Sequence, residues 1–267
     1  MFSKIIIIMK KIALISLSSV LLFACQPKDK QPPLIFLKGN NPYIVSLNSW
    51  FKDPGANAED NKDKDITSKI VMTHNVDING PTNGEGTTKK AGTYTVTYTC
   101  KDNAGNVATK TRTVIVKNDA AHYATRYECI VDAQAQNIVR DTVIASIDLT
   151  VDATTNMKIW FPKLGGKTGL RIYGQIQWNN NTNYYHVNIP DQKIPMWENN
   201  TRYLYGVMGI LNDSKILDSI DPKIEVKYHL TKYRKSPQGT VIWPPQYPDS
   251  LWEVLKNDVV IDKYDRF

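Results

Sequence analysis

The densest run of potential metal ligands in this chain is Asp60-Asn61-Lys62-Asp63-Lys64-Asp65. Hard cations such as calcium take several oxygens converging on one point. The EF-hand version needs glycine at its sixth position and a bidentate glutamate at its twelfth. Counted from Asp63, those places hold Ser68 and His74, so that template fails. A looser cation site from Asp60, Asp63 and Asp65 is the weaker reading beside a solvated loop, and Lys62 and Lys64 dilute its field. Gly165-Gly166-Lys167-Thr168 ends like a phosphate-binding loop, but Phe161 stands where the first glycine belongs, and the segment leads into a strand rather than a helix. It reads as a hairpin turn. The 4 histidines, at 74, 122, 186 and 229, have no zinc spacing within a short segment, and His186 and His229 fall on faces that read as outward. No G-x-S-x-G elbow, H-E-x-x-H or paired-cysteine motif occurs, so the motifs point away from catalysis and imply no cofactor.

A second kind of chemistry is carried by composition. Trp178-Asn179-Asn180-Asn181-Thr182-Asn183-Tyr184-Tyr185 is an amide-rich hairpin tip bracketed by aromatics. Trp197-Glu198-Asn199-Asn200 repeats the theme, and Trp243-Pro244-Pro245-Gln246-Tyr247-Pro248 is a stiff, extended aromatic segment. Sugars are held by aromatic platforms under their apolar faces and by amides matched to their hydroxyls, so Trp178, Asn180, Tyr184, Trp197, Trp243 and Tyr247 are the candidate ligand-binding residues. Against this stands the plainer reading that asparagine-rich tips are turns and the tryptophans are core, Trp178 in particular continuing an inward face.

These residues need a scaffold, and the alternation of the sequence supplies an all-β one. Gly92-Thr93-Tyr94-Thr95-Val96-Thr97-Tyr98-Thr99-Cys100 places threonines on one face and Tyr, Val, Tyr and Cys on the other, the period of a half-buried strand. Asp102-Asn103-Ala104-Gly105-Asn106 supplies turn chemistry, and Val107 to Val116 returns as its partner. Short strands between Gly, Asn, Asp and Pro turns predict an immunoglobulin-like β-sandwich over residues 34–117. After a short linker, Asn118-Asp119-Ala120-Ala121, residues 122–267 alternate again. Val143, Ala145, Ile147, Leu149 and Val151 share a face, as do Leu170, Ile172, Gly174, Ile176 and Trp178, then Tyr185, Val187 and Ile189, then Ile224, Val226, Tyr228 and Leu230. This predicts an antiparallel β-barrel or sandwich. Ser250-Leu251-Trp252-Glu253 fits a capping box, so one short helix is expected there. Cys100 and Cys129 fall on inward faces and read as buried thiols, a bridge between them being the less favoured alternative.

The N-terminus sets the address. Met9-Lys10-Lys11 opens a positive segment followed by an apolar run from Ile12 to Ala24, the build of a secretory signal, over residues 1–24. The junction Leu22-Phe23-Ala24-Cys25 resembles the bacterial lipobox, which implies that Cys25 becomes the acylated first residue. Residues 25–33 then form a polar lipidated tether. Removing Lys4, Lys10 and Lys11 with the leader takes the formal net charge from +7 to +4, a solubility feature and not a nucleic-acid footprint.

Phe51-Lys52-Asp53-Pro54-Gly55-Ala56, Lys64-Asp65-Ile66-Thr67, Gly92 to Tyr98 and Asp102 to Asn106 stand in one order. Together they resemble the bacterial Ig-like domain of unknown function that recurs in Bacteroidetes lipoproteins and surface proteins, with Lys64 where that family usually has glycine. Lys158-Ile159-Trp160-Phe161 and Val187 to Gln192 resemble, more loosely, lipocalin-like C-terminal domains of such lipoproteins. Asp141-Thr142-Val143, Asp218-Ser219-Ile220 and Asp249-Ser250-Leu251 resemble the O-glycosylation sequon of secreted proteins of that group. The expectation is a non-enzymatic outer-membrane lipoprotein, its membrane face undecided, that binds glycan. The alternatives are an assembly component contacting envelope proteins, or a lipocalin-like carrier of an apolar ligand.

Overall fold

The computed structural model describes residues 28–81, 84–134, 141–164, 169–198, 201–210, 214–217, 223–235 and 252–266. The leader, Cys25, Trp243, Tyr247, the 165–168 turn and the sequons at 218 and 249 lie outside them. The class is all-β, as expected. The first ten strands are β1 (Leu34–Leu37), β2 (Tyr43–Ser46), β3 (Trp50–Lys52), β4 (Ala56–Asp60), β5 (Lys64–Asp65), β6 (Val71–His74), β7 (Ile78–Asn79), β8 (Glu85–Thr88), β9 (Gly92–Lys101) and β10 (Val107–Lys117). They pair as β1-β4-β5, β3-β8-β7 and β2-β10-β9-β6. In β9 the threonines stay toward water while Val96, Tyr98 and Cys100 are buried, the alternation read from the sequence.

Eleven more strands follow: β11 (Arg126–Gln134), β12 (Asp141–Asp148), β13 (Thr150–Val151), β14 (Lys158–Phe161), β15 (Ile172–Asn179), β16 (Tyr184–Asn188), β17 (Gln192–Glu198), β18 (Thr201–Gly209), β19 (Lys215–Ile216), β20 (Ile224–Lys235) and β21 (Trp252–Arg266). They form one 11-stranded sheet running β12-β11-β21-β20-β19-β16-β15-β14-β13, with β18 joining β20 and β17 joining β18. Among the described residues this sheet does not close into a barrel. Among the described residues its inner side is packed: Tyr127, Cys129, Ile159, Phe161, Ile172, Val226 and Tyr228 are fully buried in one cluster. Each such aliphatic side chain contributes about 1.5–3 kcal/mol by leaving water. Gly174 belongs to this packing, since a Cβ there would meet Val187 Cγ1 at 2.5 Å and Phe161 Cε2 at 3.3 Å.

The helix expected from Ser250 does not form; Trp252–Arg266 is strand β21. It pairs antiparallel with β20 on one side and β11 on the other, so two neighbours satisfy its backbone. A capping box is worth about 1 kcal/mol and cannot compete with two ladders, and Val259-Val260-Ile261 are β-formers.

The chain divides into two compact units, one of Met1–Tyr43, Asp53–Asn75 and Thr95–Thr113, the other of Ile44–Lys52, Val76–Tyr94 and Val114–Phe267. In the first, Arg112 is fully buried and pairs with Asp53 at 2.6 Å. Its Nη2 donates to the carbonyls of Lys38 and Gly55, and the Tyr98 hydroxyl donates to the other oxygen of Asp53. Asp53 Oδ1 also accepts from Gly55 N at 2.7 Å, so the Asp-Pro-Gly-Ala block is a turn built around a buried cation. Lys64 has φ 63, the left-handed region that explains why glycine suits its place.

In the second unit, the segment expected as a linker is a structured junction. Asn118 is buried and caps the 3₁₀ turn Asp119–Tyr123 through Ala120 N. Its side-chain amide donates to Asp152 O at 2.8 Å and Thr155 O at 2.9 Å. Asn48 Nδ2 donates to Thr154 O at 3.0 Å, its Oδ1 accepts from Asn156 N at 2.7 Å, and Ala91 N donates to Ala153 O at 2.7 Å.

Candidate functional site

Three places bring chemistry-bearing side chains together. The first is the end of the sandwich where the β4–β5 turn, the β9–β10 turn and the tether meet, all within the first unit. Asp60 closes β4 and is 7% exposed; its Oδ2 accepts from Lys62 N at 2.8 Å and Asp63 N at 3.0 Å. Asp102 is 5% exposed, and its oxygens accept from Asn106 N and Asn106 Nδ2, each at 2.7 Å. The same Asn106 amide donates to Asp29 O at 3.3 Å and Gln31 O at 3.1 Å, which docks the tether instead of leaving it free. One carboxylate oxygen from each of Asp29, Asp60 and Asp102 lies within 4.8 Å of the other two. Burial alone would raise the Asp102 carboxyl, but the Asn106 side chain and the amides of Asn106, Gly105 and Ala104 outweigh it and hold Asp102 below its usual range.

This is a different set from Asp60, Asp63 and Asp65. Asp63 Oδ2 is taken by Asn103 N at 2.7 Å, which holds its carboxyl low, with Lys69 at 3.8 Å helping. Asp65 Oδ1 accepts from Thr67 N at 2.9 Å and is likewise held low by that bond. Both serve the local turn. Of the three, Asp60 alone joins the convergent group.

The second place is the β15–β16 hairpin. Trp178 pairs with Tyr185 and Asn179 with Tyr184 across the ladder. Alternation therefore sends Trp178 and Tyr185 to one face and Tyr184 and His186 to the other. Trp178 is 51% exposed, so the inward face read from Leu170 ends at Ile176, two residues short of it. Its indole meets the Tyr185 ring edge-on, centroids 5.0 Å apart at 72°. Asn179 builds the turn, accepting from Asn181 N through Oδ1 and from Asn183 N through its carbonyl, and Asn180 is exposed at the tip. On the opposite face Tyr184 stacks on His186 at 4.6 Å and 29°. His186 is buried, contrary to its outward reading, because Tyr184 covers the ring while Thr182 Oγ1 lies 2.9 Å from Nε2 and β19 pairs along its edge. Trp197 of β17 pairs with Arg202 of β18 in a separate hairpin, so the ladder does not bring it to this tip.

Sequence reasoning passed over a third cluster on β14 and β15. Lys158 Nζ lies 4.2 Å from the Tyr173 ring centre and 4.8 Å from that of Trp160, with Arg171 Cζ 4.3 Å over Trp160. The indole Nε1 donates to Asp152 Oδ2 at 3.1 Å. These rings are occupied by the protein's own cations and are no open platform. The signal was available: Lys158 and Trp160 on β14, Tyr173 on β15 and Arg171 just before it alternate with the buried residues of two adjacent strands.

The comparisons fit the first ten strands. Residues 35–116 match the family described as bacterial surface protein, Ig-like domain. The match covers the Ig-like sandwich, and the Asp60 and Asp102 turns lie inside it. Among solved structures, the crystal structure of the lipoprotein BT2262 from Bacteroides thetaiotaomicron aligns at 14% identity over 87% of this chain and 100% of that one. Its TM-score of 0.29 establishes no common arrangement. No curated protein matches the sequence.

Proposed function

We propose that this is a non-enzymatic envelope protein, held at the outer membrane by acylation at Cys25, that binds glycan at the tip of the β15–β16 hairpin. The observation that carries the reading is Trp178: a half-exposed indole fixed edge-on by Tyr185 beside a turn of exposed amides. A rigid aromatic platform with adjacent amides is what a sugar ring needs, and fixing the ring in advance lowers the entropy lost on binding. The packed inner side of the large sheet weighs against a carrier of an apolar ligand.

The test is a glycan array probed with the full chain in detergent, followed by Trp178→Ala, Trp197→Ala and Trp243→Ala. Loss of one stacking platform lowers affinity about tenfold, equivalent to about 1.4 kcal/mol. Binding that survives Trp178→Ala in a folded protein removes the hairpin from consideration. A second reading, assembly with other envelope proteins, has its own observation: β1 is a sheet-edge strand on which Leu34 is 64% and Phe36 50% exposed. Silence on the array, with capture of an envelope protein that Leu34→Lys abolishes, selects it.

A further inference from the structure

We infer that Asp29, Asp60 and Asp102 form a calcium site that clamps the membrane-proximal tether to the sandwich. Convergence of three carboxylates would not by itself make a site. The second observation is that two of their oxygens are stranded: Asp60 Oδ1 and Asp29 Oδ2 are shielded from solvent and accept no hydrogen bond. Asp60 is 7% exposed, so its orphaned oxygen lies in the interior, where an unpartnered anionic atom is costly. Among the described residues none of the three aspartates forms an ion pair; Lys69 is paired with Asp63, and Lys64 Nζ donates to the Asn61 carbonyl. Two buried carboxylates and one half-buried one, none of them ion-paired among the described residues, call for a bound cation.

The donor set selects the ion. All the donors are oxygens, the carboxylates come from three separate segments, and no histidine or cysteine belongs to the group. Calcium accepts such flexible, oxygen-only shells at 2.3–2.6 Å, whereas magnesium demands a near-ideal octahedron and zinc prefers nitrogen and sulfur. Affinity in extracellular modules of this kind is about 10⁻⁴–10⁻³ M. Asp29 follows Cys25 by four positions, so, resting on the acylation of Cys25 proposed above, the ion ties the segment next to the lipid anchor onto the β4–β5 and β9–β10 turns. Asn106 already makes the neutral part of that tie through Asp29 O and Gln31 O. Calcium completes it, and its removal frees the tether. The inference stands apart from the glycan reading, which concerns the other unit.

The experiment is calorimetric titration of CaCl₂ into the EDTA-washed full chain in detergent, with MgCl₂ as the comparison ion. Hydrogen exchange over residues 28–33 is followed in parallel. The expected result is one calcium site, with exchange of the tether amides slowed at least fivefold by calcium. Asp29→Asn and Asp60→Asn each weaken binding at least tenfold. Asp29→Asn is the cleaner variant, because Asp60 also holds the Lys62 and Asp63 amides. Absence of heat and of any change in exchange with the folded wild-type chain at about 10 mM calcium, well above the affinity range for such modules, overturns the proposal. So does an equal response to magnesium, or calcium binding that Asp29→Asn and Asp60→Asn leave unchanged.

Discussion

Asp53→Ala should be among the most damaging single changes in the first compact unit. The Arg112 side chain it leaves behind is 0% exposed, with Nη1 placed 2.6 Å from the carboxylate that would be gone. Removing one member of a buried ion pair costs about 3–5 kcal/mol, because the remaining charge keeps its desolvation penalty without its partner. The carbonyls of Lys38 and Gly55 still accept from Nη2, which limits the loss. The Tyr98 hydroxyl and the Gly55 amide both lose their acceptor, which pushes it toward the upper end. A domain is stable by about 5–15 kcal/mol, so the variant forfeits a third or more of its margin. The readout is urea dependence of hydrogen exchange at the β9 amides Val96 to Cys100, which reports this unit without interference from the large sheet. A cycle with Arg112→Met and the double variant should return a coupling energy of about 2–3 kcal/mol. A cost below about 1 kcal/mol for Asp53→Ala, or a coupling below about 0.5 kcal/mol, would refute the claim that the pair organises this turn.

Gly174→Ala should destabilise the large sheet by about 1–3 kcal/mol, seen as a lower melting temperature, since its methyl meets Val187 and Phe161 inside contact distance. Lys64→Gly should stabilise the sandwich by up to about 1 kcal/mol by relieving a left-handed lysine; no gain in urea midpoint would show that its Nζ bond to Asn61 O offsets the strain. Burial raises the Asp152 carboxyl, but Thr154, Thr155 and Lys158 outweigh it and hold it well below its usual range. Its contribution is therefore present above the unfolded value of about 3.9 and is lost as pH falls through the lower folded one. Asp152→Asn should melt lower at neutral pH and show a flatter acid limb; a parallel limb would show that other groups drive acid unfolding.

Strand faces were legible wherever burial is one-sided. The threonines of β9 and the run Ile224, Val226, Tyr228, Leu230 of β20 read correctly because period two and a single core leave one solution. Glycan-type candidates were legible as composition, but not the split of Trp178 from Tyr184, which one residue of alternation decides. Arg112 could have been found, since it precedes Val114 and Val116 on an inward face and a cation there demands a partner. The Asp29-Asp60-Asp102 convergence could not, because its members come from three distant segments that only the paired strands bring together. The β21 error has the same root: local capping is visible in sequence, whereas two flanking ladders are not.

The junction at Asn48, Ala91 and Asn118 bears on how such a protein can change over time. Ig-like modules are readily shuffled as beads on a string when their ends are free. Here the 152–155 carbonyls draw their donors from Asn48 and Ala91 of the sandwich and from Asn118 just after it, and Asn48 sits at φ 60 to reach the loop. An unrelated module grafted in front of residue 122 would leave the carbonyls of Asp152, Ala153, Thr154 and Thr155 without their donors. A transplant that ignores Asn48, Ala91 and Asn118 should therefore yield a C-terminal half that expresses poorly.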